Sequence, residues 1–240
     1  VSSNSNFSFF VTSLRAMQRH SNNPDGFGGD LRYGETGPGA GLRGADKLCR
    51  DIAEVSLPGA GAKTWRAFLS VADDGSGNQV NARDRIGQGP WHDRLGRLVA
   101  PTLNDLLADR PQNGDPTIRM DLPNEDGVPN HRPDPLAAPV DNHHIMTGSD
   151  PSGALRNPDS TCLDWTAATG DQAVEGRPWV GLSWPRNFVG PNSPSNWISA
   201  LEESGCAPGI NLAQTGPPNP DDNFVGSGGG YGGIYCFALP

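Results

Sequence analysis

The apolar positions of the chain predict short strands separated by long polar and glycine-rich connections. Residues 7–13 combine aromatic and β-branched side chains, which favours an opening strand. Residues 65–71 predict a core strand and residues 234–239 a closing strand. Between them, short aromatic runs at 163–165, 179–184 and 196–198 alternate with turns. Many short strands and few long periodic segments indicate an α+β globule rich in loops.

Two helices are predicted. The first has one apolar stripe at helical spacing and ends at Pro58-Gly59. The second runs from about Thr102 to Asp109, where Thr102 followed by Asp105 forms a capping pattern and Pro111 ends the helix. The stripe of the first helix consists of Ala45, Leu48, Cys49, Ile52 and Ala53.

The segment 111–142 is an acidic, proline-rich excursion with no periodic pattern. A structureless loop of this length is rare in a compact domain, so it is either a functional excursion or ordered by something else, such as a cation. The chain shows no internal repeat and no clear linker. We therefore expect a single domain spanning residues 1–240.

Composition narrows the class of protein. The 32 glycines and 23 prolines suggest a loop-rich chain, while the six tryptophans provide large side chains for a core. A net charge of −9, with two lysines and scattered arginines, argues against nucleic acid as a partner. The chain lacks an apolar run long enough for a transmembrane helix. Its polar start at Val1 suits a processed N-terminus, with a lipid-anchored precursor as an open alternative.

The chain has four cysteines and no C-x-x-C pair. The cysteines are Cys49, Cys162, Cys206 and Cys236. Their even number and wide spacing argue against a zinc ribbon or a thioredoxin-type redox motif. They favour two disulfides in an oxidising compartment, which predicts an extracellular or cell-surface protein. The spacing alone leaves three pairings open.

Calcium is the predicted cofactor, because clusters of Asp, Asn and Glu offer the oxygen ligands that it prefers. The alternative is that Asp, Asn and Gly simply form turns. The predicted ligands are Asp73, Asp74, Asn78, Asp84, Asn124, Glu125 and Asp126, with Asp221 and Asp222 as a further pair.

Histidines and tryptophans supply two further candidate sites. His143 and His144, with Asp141 beside them and His131 and His92 elsewhere, could bind zinc. Adjacent histidines on a strand point to opposite faces, however, which argues against a shared metal. The second candidate is a sugar-binding face formed by aromatic rings, with core packing as the alternative. Its predicted members are Trp179, Trp184 and Trp197.

Other motifs are weak. Residues 39–44 match G-x-G-x-x-G, but the preceding residues do not form a strand, so a dinucleotide site is not expected. Neither G-x-S-x-G nor H-E-x-x-H occurs, which leaves a secreted hydrolase as the third hypothesis and an enzyme as the less favoured class.

Several segments, taken in order, resemble the endostatin domain of collagens. They are Gly41–Asp46 with Cys49, Trp65–Ser70, Gly148–Gly153, Cys162 with Trp165, and the cysteine of the closing strand. The chain also resembles bacterial secreted or lipoprotein sequences that share the W-R-A-[FY]-L-S motif, and residues 81–91 fit that group. The resemblance covers most of residues 7–100 and 143–239.

The resemblance implies a C-type-lectin-like, endostatin-like fold. Such a fold has a mixed, mainly antiparallel sheet, two helices, long loops and two nested disulfides, Cys49–Cys236 and Cys162–Cys206. Heparin binding, which the resemblance would otherwise imply, is not expected because this chain is acidic. The family's zinc site is not carried over because residues 1–19 contain no histidine.

The leading functional hypothesis is a non-enzymatic extracellular recognition module that binds a glycan or a protein, with calcium as a candidate requirement. The alternative is a structural subunit that self-assembles at the cell surface. In that alternative the apolar strand Phe7–Val11 would pair with a neighbouring copy, and calcium would bridge acidic segments.

Overall fold

The computed structural model describes residues 6–131, 140–185, 196–213 and 217–239. Within these ranges the helices are α1 (Leu14–Ser21), α2 (Ala40–Ser56), α3 (Leu103–Leu106) and α4 (Gln172–Glu175). The strands are β1 (Phe9–Val11), β2 (Trp65–Ala67), β3 (Trp91–His92), β4 (Leu98–Ala100), β5 (His144–Met146), β6 (Trp179–Leu182), β7 (Leu201–Glu202) and β8 (Gly230–Ala238). This is an α+β architecture with few helices and long connections.

Strand β8 is the centre of the main sheet. It pairs antiparallel with β1 on one edge, and on the other edge with β2, antiparallel, and β5, parallel. Strands β6 and β7 extend the sheet beyond β5, while β3 and β4 form a separate two-stranded sheet. The sheet is therefore mixed and mainly antiparallel.

Alternate residues of β8 face two different cores, as the two-residue period of a strand requires. Ile234, Cys236 and Ala238 pack in the core that contains α2. Tyr235 and Phe237 pack in a second core on the opposite face of the sheet. All nine residues of β8 are buried. The second core includes Trp91, Leu106, Ile118, Leu122 and Trp197.

Helix α2 is confirmed but begins earlier than the apolar stripe predicts, and the glycines at 41 and 44 lie inside it. Both sit where the helix touches other backbone: a Cβ on Gly41 would lie 2.1 Å from the Asp164 carbonyl oxygen, and one on Gly44 would lie 2.0 Å from that of Arg32. Glycine at these two positions lets the backbones pack closely. In the sequence alone, the same glycines suggest a turn rather than part of a helix.

Two helical predictions need correction. The segment after the opening strand forms helix α1, which sequence analysis missed, and Ser13 caps it by accepting a hydrogen bond from the Ala16 amide at 3.1 Å. The second predicted helix is only the single turn α3. Its predicted cap is present, since the Thr102 hydroxyl accepts a hydrogen bond from the Asp105 amide.

Two disulfides join the chain, Cys49–Cys236 and Cys162–Cys206. The first fastens α2 to β8, so it ties together the two sides of the first core. These are the pairs that the family resemblance implies. Disulfides of this kind are typical of proteins from oxidising compartments.

Strand β1 does not present the open edge that self-association through this strand would require. One edge pairs with β8, and on the other side the Ser8 amide donates to the His92 carbonyl and the Val11 amide to the Pro123 carbonyl. All three of its side chains are buried. The strand pairs within its own chain because its aromatic side chains complete both cores.

Part of the acidic excursion packs against the rest of the protein. Ile118 and Leu122 insert into the second core, and the buried Arg110 guanidinium donates to the carbonyls of Leu182 and Ser183. Burial lowers the pKa of Arg110 to about 10. Packing therefore orders the described part of the segment, while 132–139 lies outside the described residues.

One turn has an unusual backbone. Four consecutive non-glycine residues, Cys162–Trp165, all have positive φ between 50° and 65°. Each such residue costs about 1–2 kcal/mol relative to a right-handed conformation. The Asp164 carboxylate holds the turn by accepting hydrogen bonds from the amides of Ala72 and Asp73, and the Trp165 indole donates to the Ser70 carbonyl.

Among the described helices, none is long and apolar enough to cross a membrane.

The two disulfides should differ in their contribution to stability. Their sequence separations are 187 and 44 residues, so the chain-entropy model gives about 5 kcal/mol for Cys49–Cys236 and about 4 kcal/mol for Cys162–Cys206. We expect the double alanine variant of the first pair to lose more unfolding free energy than that of the second, as measured by urea denaturation. A larger loss from the shorter loop would show that local strain or packing outweighs chain entropy.

Candidate functional site

A group of buried polar side chains lies where β5, β6 and the start of β8 meet. We call it the histidine cluster: Asp141, His143, His144, Trp184, Glu203 and the nearby His131. The cluster contains residues from two candidate sites that were predicted separately, the zinc-binding histidines and one of the sugar-binding tryptophans. His92 is not part of it and lies in β3.

The prediction that His143 and His144 face apart is wrong. Their rings stack with centroids 4.5 Å apart and planes inclined by 8°. His143 precedes β5, and the register between β5 and β8 shifts between His144 and Ile145. Regular strand alternation therefore does not apply at this point.

Each imidazole has a buried carboxylate as partner. His143 Nε2 lies 3.1 Å from Asp141 Oδ1, and His144 Nδ1 contacts Glu203 Oε1. The second oxygen of Glu203 accepts the Gly228 amide at 2.9 Å. These four charged or polar side chains are stable inside the protein because they are paired with one another.

Both ring nitrogens of His143 lie close to oxygen atoms. Its Nδ1 lies 3.2 Å from the Trp184 carbonyl oxygen, while Nε2 faces the carboxylate of Asp141. Both neighbours are acceptors, and a neutral imidazole carries only one N–H. The contact between Nε2 and Oδ1 is an ion pair only when the imidazole is protonated.

The glycine-rich start of β8 makes room for the cluster. A Cβ on Gly229 would lie 2.5 Å from the carboxyl carbon of Asp141, and one on Gly228 would lie 2.6 Å from His144 Cε1. Backbone without side chains thus packs directly on the ionisable groups. The run of glycines from 226 to 233 is the sequence signal that could have located this site.

The three predicted tryptophans occupy different environments. Trp197 is fully buried in the second core and donates to the Leu106 carbonyl, so the prediction that it binds a ligand is wrong. Trp184 is 7% exposed and packs against the rings of His131 and His143. Trp179 is partly exposed, and the guanidinium of Arg156 lies 3.4 Å from its ring centroid. The three rings do not share one environment.

The predicted calcium-binding carboxylates at 73 and 74 accept hydrogen bonds within their own turn. Asp73 Oδ1 accepts the amides of Gly75 and Gly77, and Asp74 Oδ1 accepts those of Ser76 and Asn78. Asp84 accepts from the Asn81 side chain. The carboxylates thus satisfy the backbone of a tight turn, the role that Asp and Asn commonly play.

The other predicted calcium ligands are also engaged. Asn124 caps its own turn by accepting two backbone amides, Glu125 accepts from Ser13, and Asp126 pairs with Arg15 at 2.9 Å. Asp222 accepts from the Ser227 hydroxyl. Across the part of the chain that the structure describes, no group of three or more His, Cys, Asp or Glu is arranged to hold a metal ion. Calcium binding remains a prediction.

An open groove lies elsewhere, where the opening and closing strands meet. It has a volume of about 490 Å³. Its polar lining includes Ser8, Lys63, Thr64 and His92, and its apolar lining includes Trp91. We call it the strand-end groove. Lys63 donates to the Phe7 carbonyl at 2.7 Å, and burial lowers the pKa of its ammonium group.

Comparison with known proteins does not identify a family. No protein-family model matches the chain, and no curated protein matches it. The functional argument therefore depends on the geometry of the residues themselves.

Removing the Glu203 carboxylate should destabilise the protein strongly. We expect Glu203→Ala to lower the unfolding free energy by about 3–5 kcal/mol, because it leaves buried His144 and the Gly228 amide without their acceptor. The neighbouring Glu202 is a matched control, since its side chain is 43% exposed and pairs with Arg177 at 3.5 Å. Glu202→Ala should cost less than about 1 kcal/mol. Equal losses in urea denaturation would contradict a structural role for the buried pair.

Proposed function

We propose that this protein is a non-enzymatic extracellular recognition module that binds a glycan in the strand-end groove. The observation that carries the proposal is the groove itself. Its volume falls within the range of about 300–1,000 Å³ typical of ligand pockets, and its lining includes both polar and apolar residues. Sugars present hydroxyl groups and C–H faces together, so a mixed lining of this kind suits them.

Rigid elements position the groove. Ser8 and Ala238 come from either side of the β1–β8 pairing, and the Ala238 amide donates to the Ser8 carbonyl. The Ser8 hydroxyl also accepts a hydrogen bond from the His92 amide at 2.9 Å. A site built on strand ends keeps its geometry, which reduces the entropic cost of binding.

The histidine cluster supports binding better than hydrolysis. A hydrolytic triad needs a hydroxyl in contact with an imidazole. Here the Ser227 hydroxyl donates to Asp222 at 2.7 Å, and the Ser183 hydroxyl lies 3.5 Å from a backbone carbonyl. The two imidazoles instead pair with carboxylates and stack on each other. This arrangement stabilises the meeting point of three strands.

We also propose that the fold is C-type-lectin-like and of the endostatin type. The mixed sheet, the helix joined to the last strand by a disulfide and the nested second disulfide support this assignment. The two disulfides likewise support an extracellular or cell-surface location.

Lys63 is the residue to change first. On a glycan array, we expect Lys63→Met to weaken binding by about tenfold or more, because a charge-assisted hydrogen bond contributes about 1.5–3 kcal/mol. Lys47, the other lysine, lies outside the groove and pairs with Glu35, so Lys47→Met should bind as the wild type does.

Two controls complete the test. Thermal unfolding of both variants checks that the lost bond to the Phe7 carbonyl has not disturbed the fold. Repeating the array in EDTA tests the predicted calcium requirement. Equal binding by the two lysine variants would argue against the strand-end groove as the site.

A further inference from the structure

A second groove lies between α1, the C-terminal end of α2 and the turn at 124–128. It has a volume of about 320 Å³. Buried Ala16 and Ile52 are among its lining residues, together with the more exposed Arg19 and Val55. We call it the helix groove. It does not share a lining residue with the strand-end groove.

One exposed apolar side chain, that of Val55, lines the groove, and two others belong to neighbouring segments. Val55, Leu95 and Val128 are 51%, 61% and 38% exposed and come from three separate segments. Scattered exposed apolar residues are ordinary on protein surfaces, whereas grouped ones mark interaction sites.

Hydrogen bonds join the three segments. The Arg94 guanidinium donates to the Ser56 hydroxyl, which donates in turn to the Glu125 carbonyl. Leu95 also lies against the turn, since a Cβ on Gly127 would be 2.6 Å from Leu95 Cγ. The three segments that carry these apolar side chains are therefore held together.

The charges around the groove favour an anionic group. Arg15 forms an exposed ion pair with Asp126, whereas Arg19 lines the groove and forms no ion pair with another described residue. Glu125 is buried, and its carboxylate accepts hydrogen bonds from the Ser13 amide and hydroxyl. The two carboxylates that line the groove thus have partners of their own, Ser13 for Glu125 and Arg15 for Asp126, which leaves Arg19 as the cation available to a bound group.

We propose that the helix groove binds a partner protein through a segment that presents an apolar side chain beside a carboxylate, as a C-terminal leucine does. The side chain would contact Val55 and the apolar floor, and the carboxylate would contact the Arg19 guanidinium. Arginine suits this role because its planar fork of donors matches a carboxylate.

The test uses two small probes that differ only in charge. N-acetyl-L-leucine carries the carboxylate, and N-acetyl-L-leucinamide replaces it with a neutral amide. Titration of the ¹⁵N-labelled protein should shift the amide resonances of α1 and of the C-terminal end of α2 with the acid, and much less with the amide. Arg19→Gln should reduce the apparent affinity for the acid by about tenfold.

Controls separate this site from general charge effects and from glycan binding. Arg119 is an exposed arginine that does not line the groove, so Arg119→Gln should leave the titration unchanged. Val55→Asp should abolish the shifts by placing a negative charge in the groove, and Lys63→Met should preserve them. The proposal is overturned if acid and amide give equal shifts, if neither shifts the groove resonances, or if Arg19→Gln binds the acid normally.

Discussion

The architecture depends on the pairing of β8 with three other strands. All nine of its residues are buried, those from 234 to 238 contribute alternately to two cores, and the backbone of the strand bonds to β1, β2 and β5. The Cys49–Cys236 bond adds a covalent link from this strand to α2. A residue of β8 that changed face would disturb both cores at once, because a shift of one position exchanges the two sides.

The same strand explains why polar chemistry gathers at one end of the sheet. Three of its first four residues are glycines, so the sheet has few side chains there to fill the space beside β5. Ionisable side chains occupy that space instead, and they are tolerated because each is matched by a partner of opposite character. The two grooves lie apart from this buried cluster, and each offers a cation at its surface, Lys63 in one and Arg19 in the other. The buried charges and the two grooves that we propose as binding sites thus lie in different parts of the fold.

Sequence reasoning predicted the elements whose signal is local. The apolar stripe of α2, the cap at Thr102 and the closing strand all depend on neighbouring residues, and all are present. Helix α1 was missed because its cap, Ser13, follows directly on an aromatic strand that dominates the pattern. The stacking of His143 on His144 could not be foreseen, since it arises from a register shift against a strand 86 residues later in the sequence. The burial of Trp197 was likewise set by distant partners such as Phe68 and Tyr235.

The position of β8 near the end of the described chain has a consequence for biosynthesis. Ribosomes make the chain from its N-terminus, so β1, β2 and β5 are all synthesised before the strand with which they pair. Until Gly230–Ala238 emerges, their aromatic side chains and backbone groups lack their native partners, and Cys49 lacks the thiol that it must find. Exposed strands of this kind are prone to aggregate. The main sheet therefore cannot complete its pairing until Gly230–Ala238 has been synthesised.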